Sequence, residues 1–128
     1  MTATIGPIAR VLGRLLLSGV FVAGGLDAIL NPEWPAKKAS EELDVPKPKL
    51  SARVNGSAMV LAGAMLALGI RPRLGATVLA GSLVPTTLAG HPFWKEEDEE
   101  MRTIQQNHFL KNVALLGAAL LVIADHPR

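Results

Sequence analysis

Cysteine is missing from the whole of the 128-residue sequence. With no thiol there is no disulfide framework, no CxxC redox pair, no thiolate metal site and no cysteine nucleophile. Aromatic side chains are scarce: two Trp and three Phe. Charge is scarce as well, at 19% of residues where a soluble domain carries about 25%. The net charge is +2 and the pI 9.3, but the bases are scattered and few rings are available for base stacking. Nucleic acid is thereby excluded as a partner. There is no glycine-rich phosphate loop, no serine elbow and no dinucleotide fingerprint, so no catalytic residue is assigned.

What the chain has instead is apolar bulk, 49% of residues with a mean hydropathy of +0.31. Its length suits one domain, residues 1–128. Charges divide it into apolar stretches at 15–26 (extended past Arg14 and Arg10 to Ile5), 54–70, 74–90 and 108–124. About 20 apolar residues cross a bilayer. Each stretch is at the short end, but arginine or lysine at its margin can snorkel to the headgroups. A soluble bundle would show a polar stripe on every helix, and 54–70 and 74–90 carry no charge on any face. The pattern predicts an all-α, four-helix transmembrane bundle with antiparallel neighbours, its helices near 5–30, 50–70, 73–91 and 106–125. Arg10 and Arg14 before an apolar run also resemble a signal peptide; with three further spans behind it, the run reads as a retained helix.

Small residues four apart allow helices to approach closely in lipid. Gly24 with Ala28, Ala52 with Gly56, Gly63 with Ala67, Ala76 with Ala80, and Ala114 with Ala118 have that spacing. Pro85 should kink the third span, with Ser82, Thr86 and Thr87 satisfying the carbonyl that it frees. Arg71-Pro72-Arg73 reads as a tight turn, 31–50 as a long connection, and 92–107 as an acidic connection with a short interfacial helix near 99–106.

Following the chain through four crossings gathers polar residues at one end, here end B: Asp27, Asn55, His91, Trp94, His108, Lys111 and Asn112. Gln105, His108 and Asn112 share a stripe, and Lys111 is within reach of Asp27. End A keeps Arg10, Arg14, Arg71, Arg73, Asp125, His126 and Arg128. Ionisable groups within spans face a partner or a wet cavity, so Asp27, Lys111 and Asn112 are read as an ion pair or polar network, with a ligand pocket as the alternative. Trp34 and Arg53 read as interfacial anchors. Three metal ligands do not converge, and no metal site is expected. A quinone is the cofactor that such an amphipathic crevice admits. The five acids from Glu96 to Glu100 read as a solvated cap that holds the connection in water.

The first helix GRLLLSGVFVAGGLDAI, the pair RVNGSAMVLAGAMLALGIRPRLGA, and GHPFW followed after the acids by QNHFLKNVALLGAALLV resemble the DoxX family of four-helix membrane proteins along nearly the whole chain. The matching positions are Arg14, Phe21, Gly25, Gly63, Gly69, Arg73, His91, Phe93, Trp94, Phe109, Lys111, Asn112 and Gly117. Asp27 departs from the pattern, standing where relatives often carry lysine. The resemblance implies association with redox chemistry at a membrane. Some relatives are linked to thiosulfate:quinone oxidoreductase, others to complexes with superoxide dismutase and a sulfurtransferase. Any sulfur chemistry would need a partner's thiol.

Three functions follow as expectations: an accessory or scaffold subunit of a redox complex in the cell membrane, a quinone-binding oxidoreductase subunit, and a membrane chaperone or small-solute carrier. The last would need an oligomer at this size. Orientation rests on opposed signals. End B has eight Lys and Arg against five at end A, yet the first helix usually dominates topology, and its arginines lie at end A. Both termini are expected in the cytoplasm.

Overall fold

A computed structural model describes residues 2–125, with side chains from Ile5 onward; His126 and Arg128 lie outside the described residues. The elements are α1 (Thr2–Leu30), α2 (Glu33–Leu43), α3 (Pro48–Leu68), α4 (Pro72–Gly90), a 3-10 turn (Phe93–Lys95) and α5 (Glu99–Ala124). No strand occurs among the described residues.

Local chemistry sets the breaks. Pro32 follows Asn31 and disfavours helical geometry there, so α1 ends at Leu30. α3 and α4 each start with a proline in the first turn, where the missing amide costs nothing. Gly69, at φ 71°, ends α3, with its own amide bonded to Leu66 O and that of Ile70 to Met65 O. Only glycine enters that left-handed conformation without strain. The turn to α4 therefore needs no loop beyond Ile70 and Arg71.

Two expectations are corrected. The connection 31–50 contains a helix, α2, whose EWPAKKASEEL run opens with Glu33 in its first turn. Those residues favour a helix, but the flanking prolines mask it. The second correction concerns 99–106, which is no separate interfacial helix: α5 is continuous from Glu99. It starts there because the Asp98 carboxylate accepts from the Met101 amide at 3.1 Å and Glu99 and Glu100 occupy the positive end of the helix. Asp98 is thus a cap with a definite partner, whereas the sequence grouped it with the solvated acids.

α1 packs against α3, α3 against α4, and α4 against α5, while α2 covers α3 and α4 at end B. One core joins Leu17 and Phe21 of α1, Ala62 and Leu66 of α3, and Leu79 and Leu83 of α4, with Leu115, Leu116 and Val122 of α5 against it. The α1–α3 seam is close. A methyl group on Gly25 would lie 2.5 Å from the Gly56 carbonyl oxygen, and one on Gly56 would lie 2.6 Å from that of Gly25. Gly75 brings α4 nearly as close to α3, 2.8 Å from Ala62 O on the same measure. The seam uses Gly25, one residue on from the Gly24 that the four-residue spacing selected.

Outer faces are apolar. Leu16, Leu61, Leu68 and Leu121 are each at least two-thirds exposed. Three helices are long and apolar enough to cross a membrane: Ile5–Leu30, Pro48–Leu68 and Glu99–Ala124. α4 has the length, 19 residues, but Arg73, Ser82, Pro85, Thr86 and Thr87 dilute its apolar character. The physical reason is position. α4 sits between α3 and α5 under α2, with eight buried residues, so much of its surface meets protein and need not suit lipid.

Candidate functional site

Pro85 lies within an α4 that runs unbroken to Gly90. Two of the hydroxyls beside it, those of Ser82 and Thr86, turn towards α3, contrary to expectation. Ser82 Oγ donates to Asn55 Oδ1 at 2.8 Å, and Asn55 Nδ2 donates to Thr86 Oγ1 at 3.4 Å. Asn55 is thereby held as a bridge between α3 and α4, on the wall of an open cavity of about 350 Å³ lined by α1 to α4. Asp27, Trp34, Lys38 and Met59 line the same cavity. Apolar surface with a few polar groups is the usual make-up of a small-molecule pocket.

Beyond the last residue of α4, His91 begins a second cluster. Its Nδ1–H donates to Gln105 Oε1 at 2.7 Å, which leaves Nε2 as the acceptor of the neutral ring. The ring stacks on His108 (centroids 5.1 Å, planes 20° apart) and meets Trp34 at 6.5 Å. Burial is the main cause that lowers the His91 pKa from its ordinary 6.5. The bond to Gln105 opposes it, while the charges of His108, Lys111 and Lys38 lower it further. Phe93, Trp94 and Phe109 form an edge-to-face trio with centroids 5.2–5.9 Å apart, joining the 3-10 turn to α5. Lys95 of that turn pairs with Glu42 of α2. End B is therefore a tied shelf, with Trp34 53% and Trp94 49% exposed at its surface.

The seven sequence candidates thus divide. Asp27 and Asn55 face the cavity, His91 and His108 form the imidazole stack, and Trp94 belongs to the aromatic trio. Lys111 is exposed, and Asn112 is buried on α5. The expected contact of Lys111 with Asp27 is absent. Asp27 accepts instead from Asn31 Nδ2 at 3.1 Å, because α1 docks on α3 while α5 docks on α4. Trp34, taken from the sequence as an interfacial anchor, is the residue that connects cavity and imidazoles: its indole also packs over Gly90. Its signal was the helical run around it. Among the described residues no three His, Asp or Glu side chains gather as a metal site.

The DoxX family model matches residues 9–92. The chain belongs to the DoxX family. The match takes in about two thirds of this DoxX protein, from α1 through His91 and Pro92. It covers the Gly25–Gly56 seam, Trp34 and the cavity, and leaves Trp94 and all of α5 outside. The segment with His108, Lys111 and Asn112, which carried much of the resemblance in the sequence, thus lies beyond the matched range. No curated protein and no solved structure matches the chain. This is a DoxX-family membrane protein, all-α, with three helices suited to crossing the bilayer.

Proposed function

We propose that this DoxX protein is a four-span accessory or scaffold subunit of a redox complex in the cell membrane, with both termini cytoplasmic and no chemistry of its own. α4 serves as the fourth span. Its 19 residues rise about 28 Å, close to the roughly 30 Å hydrocarbon thickness, and its neighbours α3 and α5 cross beside it. The observation that carries the function is the shelf at end B: two half-exposed tryptophans on elements clamped by Lys95–Glu42 and the Phe93–Trp94–Phe109 trio. A rigid aromatic surface ordered in advance binds a protein at low entropic cost. The family's link to redox chemistry supplies the class of partner, a quinone-linked or thiol-bearing redox enzyme at the membrane surface.

Tagged protein extracted in mild detergent should retain such an enzyme in fixed stoichiometry, detected by its quinone-reducing activity or thiol reactivity. Trp34→Ser with Trp94→Ser should release it without loss of membrane insertion. A chain that purifies alone, and whose deletion leaves membrane redox activity unchanged, would refute the reading. For orientation, Thr2→Cys should resist an impermeant maleimide on intact cells; labelling of that position would reverse the assignment.

One observation favours a second reading, a quinone-binding subunit. The cavity has an aromatic wall in Trp34 and a half-buried lysine in Lys38, which would hold a carbonyl headgroup. A bound quinone supplies two-electron redox chemistry; the chain's residues would orient it and limit water. Stoichiometric quinone in extracted protein, lost in Lys38→Leu, would establish this reading in place of the first.

A further inference from the structure

End A, which plays no part in that function, contains the larger cavity. It measures about 700 Å³ between α1, the start of α4 and the end of α5. Arg10, Arg14, Arg71 and Arg73 line it, over an apolar floor with Leu17 at its base and Leu121 at its outer edge. Only part of this charge is matched. Arg10 pairs with Asp125 at 2.6 Å, and Arg73 Nε donates to Ile123 O at 2.8 Å. The other two differ. Arg14 lies over Gly69, a terminal nitrogen 3.1 Å from where a methyl group would sit, and its Nε is buried without a hydrogen-bond partner. Arg71 is exposed, its backbone in the left-handed region at φ 46°, with no side-chain cap made to α4.

A buried donor without an acceptor is costly, and a guanidinium fork suits phosphate oxygens. A basic pocket between membrane helices on the cytoplasmic side is where anionic headgroups bind. We infer that this groove binds one anionic phospholipid, its headgroup phosphate on Arg14 and Arg71 and an acyl chain along Leu17 and Leu121. The inference rests on the membrane reading of the chain, with end A at the bilayer surface. The apolar floor selects a lipid over a free anion, because inorganic phosphate would leave that floor unfilled.

The test is native mass spectrometry of delipidated protein in detergent, titrated with dioleoyl phosphatidylglycerol, dioleoyl phosphatidylcholine or inorganic phosphate. Wild type should retain one phosphatidylglycerol, at least tenfold more than phosphatidylcholine, and millimolar phosphate should not displace it. Arg14→Gln with Arg71→Gln should lose it at least tenfold, and Lys37→Gln with Lys49→Gln at end B should not. Leu121→Trp, which fills the groove and leaves every arginine, should also lose the lipid and decides the matter if the arginine variant fails to fold. Equal retention of both lipids, displacement by phosphate, or full binding by Leu121→Trp would each overturn the inference. A protein that stays monodisperse without detergent would instead refute the membrane reading itself.

Discussion

Gly25→Ala offers a sharp trial of the packing argument. The added methyl would lie 2.5 Å from Gly56 O, 2.9 Å from Val60 Cγ2 and 3.0 Å from Met59 Cβ. Ordinary contact begins near 3.4 Å, and neither a backbone oxygen nor a Cβ can rotate away. α1 must therefore retreat by several tenths of an ångström or more. A radial gap of about 0.5–1 Å forfeits roughly a quarter to a half of each dispersion contact along the seam. Overpacking of this kind costs about 1–3 kcal/mol. Alanine's advantage in helix propensity, about 1 kcal/mol, contributes little in return, since a helix in lipid stays helical whether docked or free. Apolar transfer contributes little too, because lipid is as apolar as the seam. Reversible unfolding in mixed dodecyl maltoside and SDS micelles, followed by tryptophan fluorescence, should show Gly25→Ala unfolding at a lower SDS fraction. Gly24→Ala meets only the flexible Met59 methyl at 3.4 Å, and Gly19→Ala meets nothing within 4 Å; both should match wild type. If Gly25→Ala unfolds together with Gly19→Ala, the close seam does not exist.

The remaining predictions concern polar groups. Asn55→Leu removes both bonds to α4 and should cost about 0.5–2 kcal/mol in the same assay; an unchanged midpoint would show that the bridge is not formed. Asp98→Ala should shift the midpoint by about 1 kcal/mol through loss of the α5 cap, whereas Glu96→Gln with Glu97→Gln should leave it in place. A larger effect from the glutamates would reverse that assignment. His91 has a pKa lowered from its ordinary value, chiefly by burial, so below about pH 6.5 the unfolded state takes up its proton more readily and stability falls with falling pH. His91→Asn should abolish that pH dependence. Persistence of the dependence in the variant would place the titration on another group.

How much of this was legible beforehand differs from element to element. The run 54–70 lies within α3 up to Leu68 and the run 108–124 lies within α5, because a single charge, Lys111, over two helical lengths leaves these segments almost no wet face. The turn expected at Arg71-Pro72-Arg73 lies two residues earlier, at 69–71, because Gly69 takes the left-handed conformation that ends α3 and Pro72 already opens α4. α2 was hidden because its helix-forming residues lie between prolines that also suit a loop. At the candidate site, the chain order placed Asp27, Asn55, His91 and His108 at one end, since each crossing reverses direction. It could not say which of them touch. That depended on helix order: α1 docks on α3 through two glycines, and this separates Asp27 from Lys111 and assigns Asn55 to Ser82 and Thr86. The same order opens the arginine groove at end A between the first helix and the last. Hydropathy along a chain reports the solvent that each segment meets. Which neighbour it meets is decided by backbone approach and side-chain shape, and those exist only once the helices are packed.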